Sequence, residues 1–250
     1  MLHEFSSDSA TDSQAACGAC GRYVGVVGEI LIPPPSSCTW QTKLNHLRNR
    51  YEIDTTNYFK NTITSGMTVV DVGANLGYFT RLASSLVGPT GNVYAFEPDA
   101  NNFRLLKKNT KHLTNVHIMQ SAVSDTDGTA TFYLSRKMGM HSLLENKDEG
   151  RQVVVPCTTL DKLFQSTDIH FIKIDVEGAE TLVFQGMPKL LQRKPVIVFE
   201  YNPWDSKPLV DELAKTHSIF KIVPGGTLEK TTTEESRLDG KKGTNLVLAD

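Results

Sequence analysis

The sequence predicts a doubly wound α/β protein with helices on both faces of a mostly parallel, seven-stranded sheet, and three observations carry that. In Thr68 to Gly77, T-V-V-D-V-G-A-N-L-G, a short β-branched run ends in a glycine-bearing turn and opens a helix-patterned segment, Tyr78 to Val87. From there, strand-then-helix units repeat almost to the end of the chain, at lengths that suit parallel crossover units. The composition, 250 residues with 39% hydrophobic and 22% charged, suits one large globular domain or a domain with a short appendage.

Residues 1 to about 20 are mostly Ser, Asp, Ala and Thr, which predicts disorder. Residues 1–40 are expected to form an irregular, partly disordered extension ahead of a domain at 41–250. Tyr23 to Ile32 reads as one strand, stopped by Pro33-Pro34-Pro35. Lys43 to Arg50 reads as a short basic helix, and Asn57 to Thr64 as a second helix leading into the core. The first core strand follows at Thr68, with its helix to Val87. Gly88-Pro89-Thr90-Gly91 is a turn into a second strand, Asn92 to Phe96. Pro98 marks a helix start that Asn102 to Thr110 continues, and Val116 to Ser121 is the third strand.

Simple alternation then lapses. Asp127-Gly128 is a turn, Thr129 to Leu134 alternates like an exposed strand, and Ser135 to Gly150 is long and polar enough for a lid or substrate loop. Val153 to Cys157 is a further strand, and Thr159-Leu160-Asp161 opens a short capped helix. His170 to Asp175 is the fourth core strand. A helix over Ala179 to Gln192 follows, punctuated by Gly186-Met187-Pro188. Pro195 to Tyr201, Ser218 to Val223 and Thr244 to Ala249 are strands five, six and seven. Lys207 to His217 reads as helix and Gly225 to Gly243 as loop.

Composition narrows the classes. A formal net charge of −2 leaves no global footprint for nucleic acid. No apolar run reaches the roughly 18 residues of a membrane span, and no basic region with a long apolar core opens the chain, so a cytoplasmic protein is expected. Cys17 and Cys20 form C-G-A-C, while Cys38 and Cys157 stand alone. A zinc half-site completed by Cys38, His3 or a second subunit is one reading, and free thiols in a reducing compartment the other.

The turn at Gly73 places free backbone N–H groups and a positive helix end in one crevice, where nucleotide-like cofactors bind in open α/β sheets. Gly73 and Gly77 give close approach, and Asn75 is a residue that tolerates positive φ. The plainer reading is a packing turn. Glu97 ends the second strand about 20 positions on, where an acidic residue takes ribose hydroxyls. Asp71 precedes the first glycine, suits an ammonium and repels a pyrophosphate. The loop is G-x-x-x-G, not G-x-G-x-x-G, and with Asp71 this favours S-adenosylmethionine over NAD.

With these pieces assembled, the chain resembles the FkbM-type family of S-adenosylmethionine-dependent methyltransferases. The matching stretches are V-V-D-V-G-A-N-L-G-Y-F-T (69–80), V-Y-A-F-E-P (93–98), A-V-S-D (122–125) and T-T-L-D (158–161). F-I-K-I-D-V-E-G-A-E (171–180) and I-V-F-E-Y (197–201) continue them, with Tyr51-Glu52 as a lead-in. The resemblance implies a class I Rossmann-like sheet whose last strand runs antiparallel, and methylation of a hydroxyl on a sugar or secondary metabolite. It also implies that Asp71, Gly73, Asn75 and Gly77 line the methionine side, Glu97 holds the ribose, and Ser121, Ala122 and Asp125 cover the adenine.

An aliphatic hydroxyl attacks a methyl carbon only as its proton leaves, so a base is needed at the carboxyl ends of the strands. Asp175 ends strand four and is a candidate base or hydroxyl ligand, with a helix-capping carboxylate as the alternative. Glu177 and Glu180 lie close in sequence, as candidate substrate contacts or, with Asp175, a magnesium set. No metal is assigned. Lys173 sits in an otherwise apolar strand, is a candidate for the catalytic set, and calls for a carboxylate partner; Glu200 is one candidate and also a substrate contact. His141, in G-M-H-S, is a candidate base or a solvated loop histidine, and His170 starts its strand at the wrong end of the sheet.

The Asn/Asp-Pro-Pro-aromatic signature of many amino-group methyltransferases is missing after strand four, and Asn202-Pro203-Trp204 echoes it only after strand five. Oxygen is therefore the expected acceptor, with a nitrogen acceptor or a catalytically silent binding module as alternatives. A nicotinamide oxidoreductase fits less well, since the third fingerprint glycine and a Tyr–Lys pair are missing.

Overall fold

The computed structural model describes residues 25–27, 30–32, 52–135, 141–144, 151–201, 206–232 and 244–249. The Lys43 to Arg50 helix, Cys17, Cys20, Cys38, His3, Asn202-Pro203-Trp204 and most of the Ser135 to Gly150 loop lie outside these residues. Two short strands, β1 (Gly25–Val27) and β2 (Ile30–Ile32), pair antiparallel where one continuous strand was expected. The interval between them is a length that tight hairpins use.

The main sheet is built from β3 (Thr68–Val72), β4 (Asn92–Phe96), β5 (Val116–Met119), β9 (Phe171–Ile174), β10 (Val196–Tyr201), β11 (Ser218–Val223), β12 (Thr227–Lys230) and β13 (Thr244–Ala249). Its order is β12-β11-β13-β10-β9-β3-β4-β5. All seven expected strands are present, and β13 runs antiparallel to both β10 and β11. The eighth, β12, lies in what reads as loop. Gly225 and Gly226, at φ +88° and +75°, fold the chain back so that Val223 pairs with Thr227. Every residue of β12 is exposed, so it lacks the apolar signal that marks a strand.

Helices cover both faces, and burial explains why. On one face Val70, Val72, Ile172, Ile174, Ile197 and Phe199 pack against Phe184, Met187, Leu190 and Leu213. Phe184, Leu190 and Leu213 come from α5 (Glu180–Gln185), α6 (Pro188–Leu191) and α7 (Lys207–Leu213), and Met187 from the junction ahead of α6. On the other face Val69, Phe171, Val198 and Val247 meet Tyr58, Phe59, Phe79 and Val87, from α1 (Ile53–Thr62) and α2 (Tyr78–Val87). Strands β3 and β9 are buried throughout and read as apolar runs apart from the charged residues Asp71 and Lys173. α5 and α6 are separated at Gly186, where a Cβ would meet the Ser124 carbonyl oxygen at 1.9 Å, and Pro188 starts the second helix.

α3 (Ala100–Thr110) is capped by Asp99, whose carboxylate accepts from the Asn101 and Asn102 N–H groups. Between β5 and β9 the chain makes a separate sheet, β6 (Ala122–Val123), β8 (Arg151–Thr158) and β7 (Gly128–Leu134), over a small core of Ala122, Phe132, Val155 and Cys157. α4 (Leu160–Leu163), capped by Thr159, returns the chain to the main sheet. Among the described residues no helix is long and apolar enough to cross a membrane.

Strand order reverses at β3, which pairs β4 on one side and β9 on the other. Loops leaving adjacent strands there diverge to opposite faces and open a crevice at the carboxyl ends.

Candidate active site

The loop after β3 forms one wall of this crevice. Gly73, Asn75 and Gly77 all hold positive φ, at +80°, +53° and +90°. A Cβ on Gly73 would sit 1.9 Å from the Asp175 carbonyl oxygen, so this glycine lets the loops leaving β3 and β9 touch. Asn75 donates its backbone N–H to Glu97 Oε2 at 2.8 Å, and Asp99 N–H donates to Glu97 Oε1 at 2.9 Å. Glu97, 5% exposed, thus ties the loop after β3 to the loop after β4. Burial pushes its pKa up to about 7, although both N–H groups pull the other way.

Asp71 lies below, 2% exposed. Thr80, in the first turn of α2, donates its hydroxyl to Asp71 Oδ2 at 2.6 Å, while buried Oδ1 has no hydrogen-bond partner among the described residues. Burial again raises this carboxyl. A buried acceptor lacking a donor is uncommon and points to a ligand that supplies one.

The other wall leaves β9. Lys173, 3% exposed, donates to Asp175 Oδ2 at 2.8 Å and stands 4.7 Å over the Phe79 ring. Asp175, two residues on along the same face, is thus a carboxylate partner of Lys173, and the Lys173 charge also acts on Glu200. Glu177 adopts φ +54° and is followed by Gly178 at +99°. Oxygens of Asp175, Glu177 and Glu200 lie within 4.8 Å of one another. Withdrawal of the Glu177 carboxyl from water, then the charges of Asp175, Glu200 and Glu180, push its pKa up to about 9. Burial and Asp175 push Glu200 up to about 7.

Glu180 does not join them. It is 1% exposed, and Oε1 accepts from the N–H groups of Val176 and Gly178 at 3.3 and 3.2 Å. This carboxylate braces the turn at the start of α5 and is closed to a substrate. The sequence pattern could not separate it from Glu177, since both lie in one acidic run.

His141 also has a different task. Ser135 N–H donates to its Nδ1 at 3.0 Å, and its ring lies against Phe132. A neutral ring accepting at Nδ1 carries its proton on Nε2, so no lone pair is left there to take a proton. The adjacent Ser142 hydroxyl donates to the Val176 carbonyl at 3.4 Å, which lays this segment on the loop after β9. His170 is structural as expected, its Nδ1 accepting from Thr68 N–H at 3.1 Å.

On the side expected to cover adenine, Ser121 donates to the Ala122 and Pro156 carbonyls, and Ala122 is buried where β6 begins. Both sit at the junction of the two sheets. Asp125 is exposed, accepts from the Ser124 hydroxyl at 2.9 Å, and belongs to the turn packed on Gly186 at the far end of α5. Sequence reasoning missed Glu52, which meets the site at its edge. It holds φ +42°, and Asn245 of β13 donates to its Oε2 at 2.9 Å. Burial and the Asp175 charge raise it, while Lys173 lowers it. Its only signal was adjacency to Tyr51 ahead of the core.

The model of the methyltransferase FkbM domain matches residues 71–216, more than half of the chain. The chain belongs to the FkbM methyltransferase family. Hexuronic acid methyltransferase AglP of Haloferax volcanii is 28% identical over 162 residues, covering 61% of this chain and 64% of that relative. The chain thus spans less than two thirds of that relative's length. Among solved structures, precorrin-6y C5,15-methyltransferase from Geobacter metallireducens aligns with TM-score 0.47 and 14% identity, covering 80% of this chain and 89% of that one. An S-adenosylmethionine-dependent O-methyltransferase from Thermotoga maritima aligns with TM-score 0.45 and 12% identity, covering 80% and 64%.

The family's cofactor is S-adenosylmethionine, and the crevice fits it. The amino group of its methionine part would supply a donor of the kind that Asp71 Oδ1 lacks among the described residues. Glu97 accepts from the Asn75 and Asp99 N–H groups and from the Asn102 side chain, and a carboxylate with about four lone-pair sites would still have room for a ribose hydroxyl. A sign follows for pH. Glu97 is neutral below its raised pKa, whereas ribose hydroxyls donate to the carboxylate. Affinity for S-adenosylhomocysteine is expected to rise about tenfold per pH unit up to about pH 7 and to level off above it. Titration calorimetry from pH 5.5 to 8 checks this, and Glu97→Gln should flatten the curve.

Proposed function

We propose that this chain transfers the methyl group of S-adenosylmethionine to a hydroxyl of a saccharide or other small molecule. The observation that carries the reading is Asp175, which stands at the carboxyl end of β9 with its carbonyl against Gly73 and its carboxylate held by Lys173. A carboxylate so placed is fixed beside the cofactor crevice while keeping 24% of its side chain exposed. The relative named for hexuronic acid supports a saccharide acceptor.

S-adenosylmethionine, when bound, supplies a methyl carbon activated by positive sulfur. Held there, it would yield that carbon to the acceptor oxygen while sulfur kept the electron pair of the C–S bond, leaving S-adenosylhomocysteine. Asp175 takes the hydroxyl proton, and Lys173 keeps the carboxylate oriented. Asp71 and Glu97 hold the two ends of the cofactor, so positioning supplies much of the rate.

Titration of the purified protein with S-adenosylhomocysteine, with NADH in parallel, tests the donor half. Binding of the former alone is expected. Transfer of a radiolabelled methyl group to a panel of sugars and hydroxylated metabolites tests the acceptor half. Binding without transfer to any hydroxyl would leave a silent binding module.

A further inference from the structure

We propose that the exposed face of α3, with the hairpin β1–β2 beside it, docks this protein peripherally on an anionic lipid bilayer. The proposal stands apart from the methyl-transfer reading, because the residues that carry it are not those that line the crevice.

Arg104, Lys107, Lys108 and Lys111 recur at helical spacing and form one stripe along α3 and its C-terminal cap. All four are exposed, while Leu105, Leu106, Asn109 and Thr110 turn inward and are buried. No Asp or Glu occurs from Ala100 to Ser124, so no sequence neighbour balances this charge. Cations in the last turn suit the helix dipole, which is the plainer account of Lys107 and Lys108. It does not account for the stripe. Arg104 with Lys108, and Lys107 with Lys111, are like charges one turn apart, an arrangement that weakens a helix. The chain as a whole carries a net charge of −2. A patch of the opposite sign on such a chain sets up a local field that draws an anionic partner.

Two observations choose a bilayer over nucleic acid. β2 lies against α3, and the two strands of the hairpin hold only glycine, valine, isoleucine and leucine. A bilayer surface takes up apolar groups together with Lys and Arg. Nucleic acid, by contrast, is gripped by cations interleaved with aromatic side chains, and the exposed positions of α3 include no aromatic residue. The buried side of the helix makes the dock rigid. Asn109 Nδ2 donates to the Leu76 carbonyl at 2.8 Å, and the N–H of the capping residue Asp99 donates to Glu97. The helix is thereby tied to both cofactor loops, and a protein resting on the stripe would hold its crevice at a fixed angle to the membrane.

The test sediments the full chain with vesicles of phosphatidylcholine alone, or of phosphatidylcholine with about one third phosphatidylglycerol. Binding to the anionic vesicles is expected to be about a hundredfold tighter than to the neutral ones, and to weaken as salt is raised. A variant combining Lys107→Gln, Lys108→Gln and Lys111→Gln should lose about a hundredfold in affinity for the anionic vesicles, at roughly fivefold per cation. Its melting temperature should match that of the parent chain, which shows that it folds. The same three positions changed to Arg should bind as the parent does. Should the triple Gln variant not fold, Lys108→Gln alone is expected to cost about fivefold. Equal binding to the two kinds of vesicle would overturn the proposal, and so would a folded Gln variant that binds anionic vesicles as the parent does. Equal losses in the Gln and Arg variants would overturn it too, since shape and not charge would then matter. A parent chain that ignores both vesicles but binds single-stranded RNA would place nucleic acid on the stripe instead.

Discussion

Gly73→Ala is expected to eliminate measurable S-adenosylhomocysteine binding and to lower the melting temperature by roughly 5–15 °C. Two costs combine. At φ +80° an L-residue is strained by about 1–2 kcal/mol. The new Cβ would also fall 1.9 Å from the Asp175 carbonyl oxygen, and overpacking of this kind costs about 1–3 kcal/mol. The clash is with backbone, so no side-chain rotation relieves it. The loops after β3 and β9 must separate, and that separation dismantles the crevice. Thermal melts and calorimetry on the same preparation check both halves. A variant that melted lower yet bound the ligand normally would show that the contact serves the fold alone.

Asp175→Asn is expected to lower kcat by about 10²–10⁴-fold, the usual contribution of a positioned base, while changing S-adenosylhomocysteine affinity by no more than about threefold. The amide is chosen over alanine because Lys173 is buried. Truncating its partner would also leave the buried ammonium without its acceptor at that position and confuse catalysis with stability. The amide oxygen can still accept from Lys173, but it cannot take a proton from the acceptor. Radiolabel transfer under saturating donor and acceptor gives kcat directly. Unchanged kcat would reduce Asp175 to a counterion for Lys173.

The fold was legible because its signals are local and periodic. Tyr78–Val87 is the helix that its pattern predicts, to the residue, and the buried strands β3 and β9 announce themselves by apolar runs that one charged residue each interrupts. The elements that escaped were those without such runs. β12 is exposed throughout and exists because two glycines reverse the chain, so composition read it as loop.

The site was legible by position and not by role. Asp71, Gly73, Asn75, Gly77 and Glu97 cluster as their placement at strand ends suggests, and Asp175 joins them across the Gly73 contact. Which of several neighbouring carboxylates faces outward depends on one or two backbone dihedrals, and no spacing rule reports those. Glu177 at φ +54° belongs to the cluster with Asp175 and Glu200, while Glu180, three residues later, turns back to hold amides. The place of Glu52 beside the site was illegible for another reason. Its neighbour Asn245 lies at the opposite end of the chain.

That long-range assembly has a kinetic consequence. The hydrogen bond from Thr68 to His170 joins residues 102 positions apart, and the central pair β3–β9 can form only after that loop closes. Closing long loops costs entropy before any contact rewards it, so pairings of high sequence separation come late. The β7–β8 pair is nearer in sequence and can form ahead of it. A chain refolding from denaturant should therefore regain most of its secondary structure before it regains affinity for S-adenosylhomocysteine. Ligand capture would then report the closure of the two halves on Gly73.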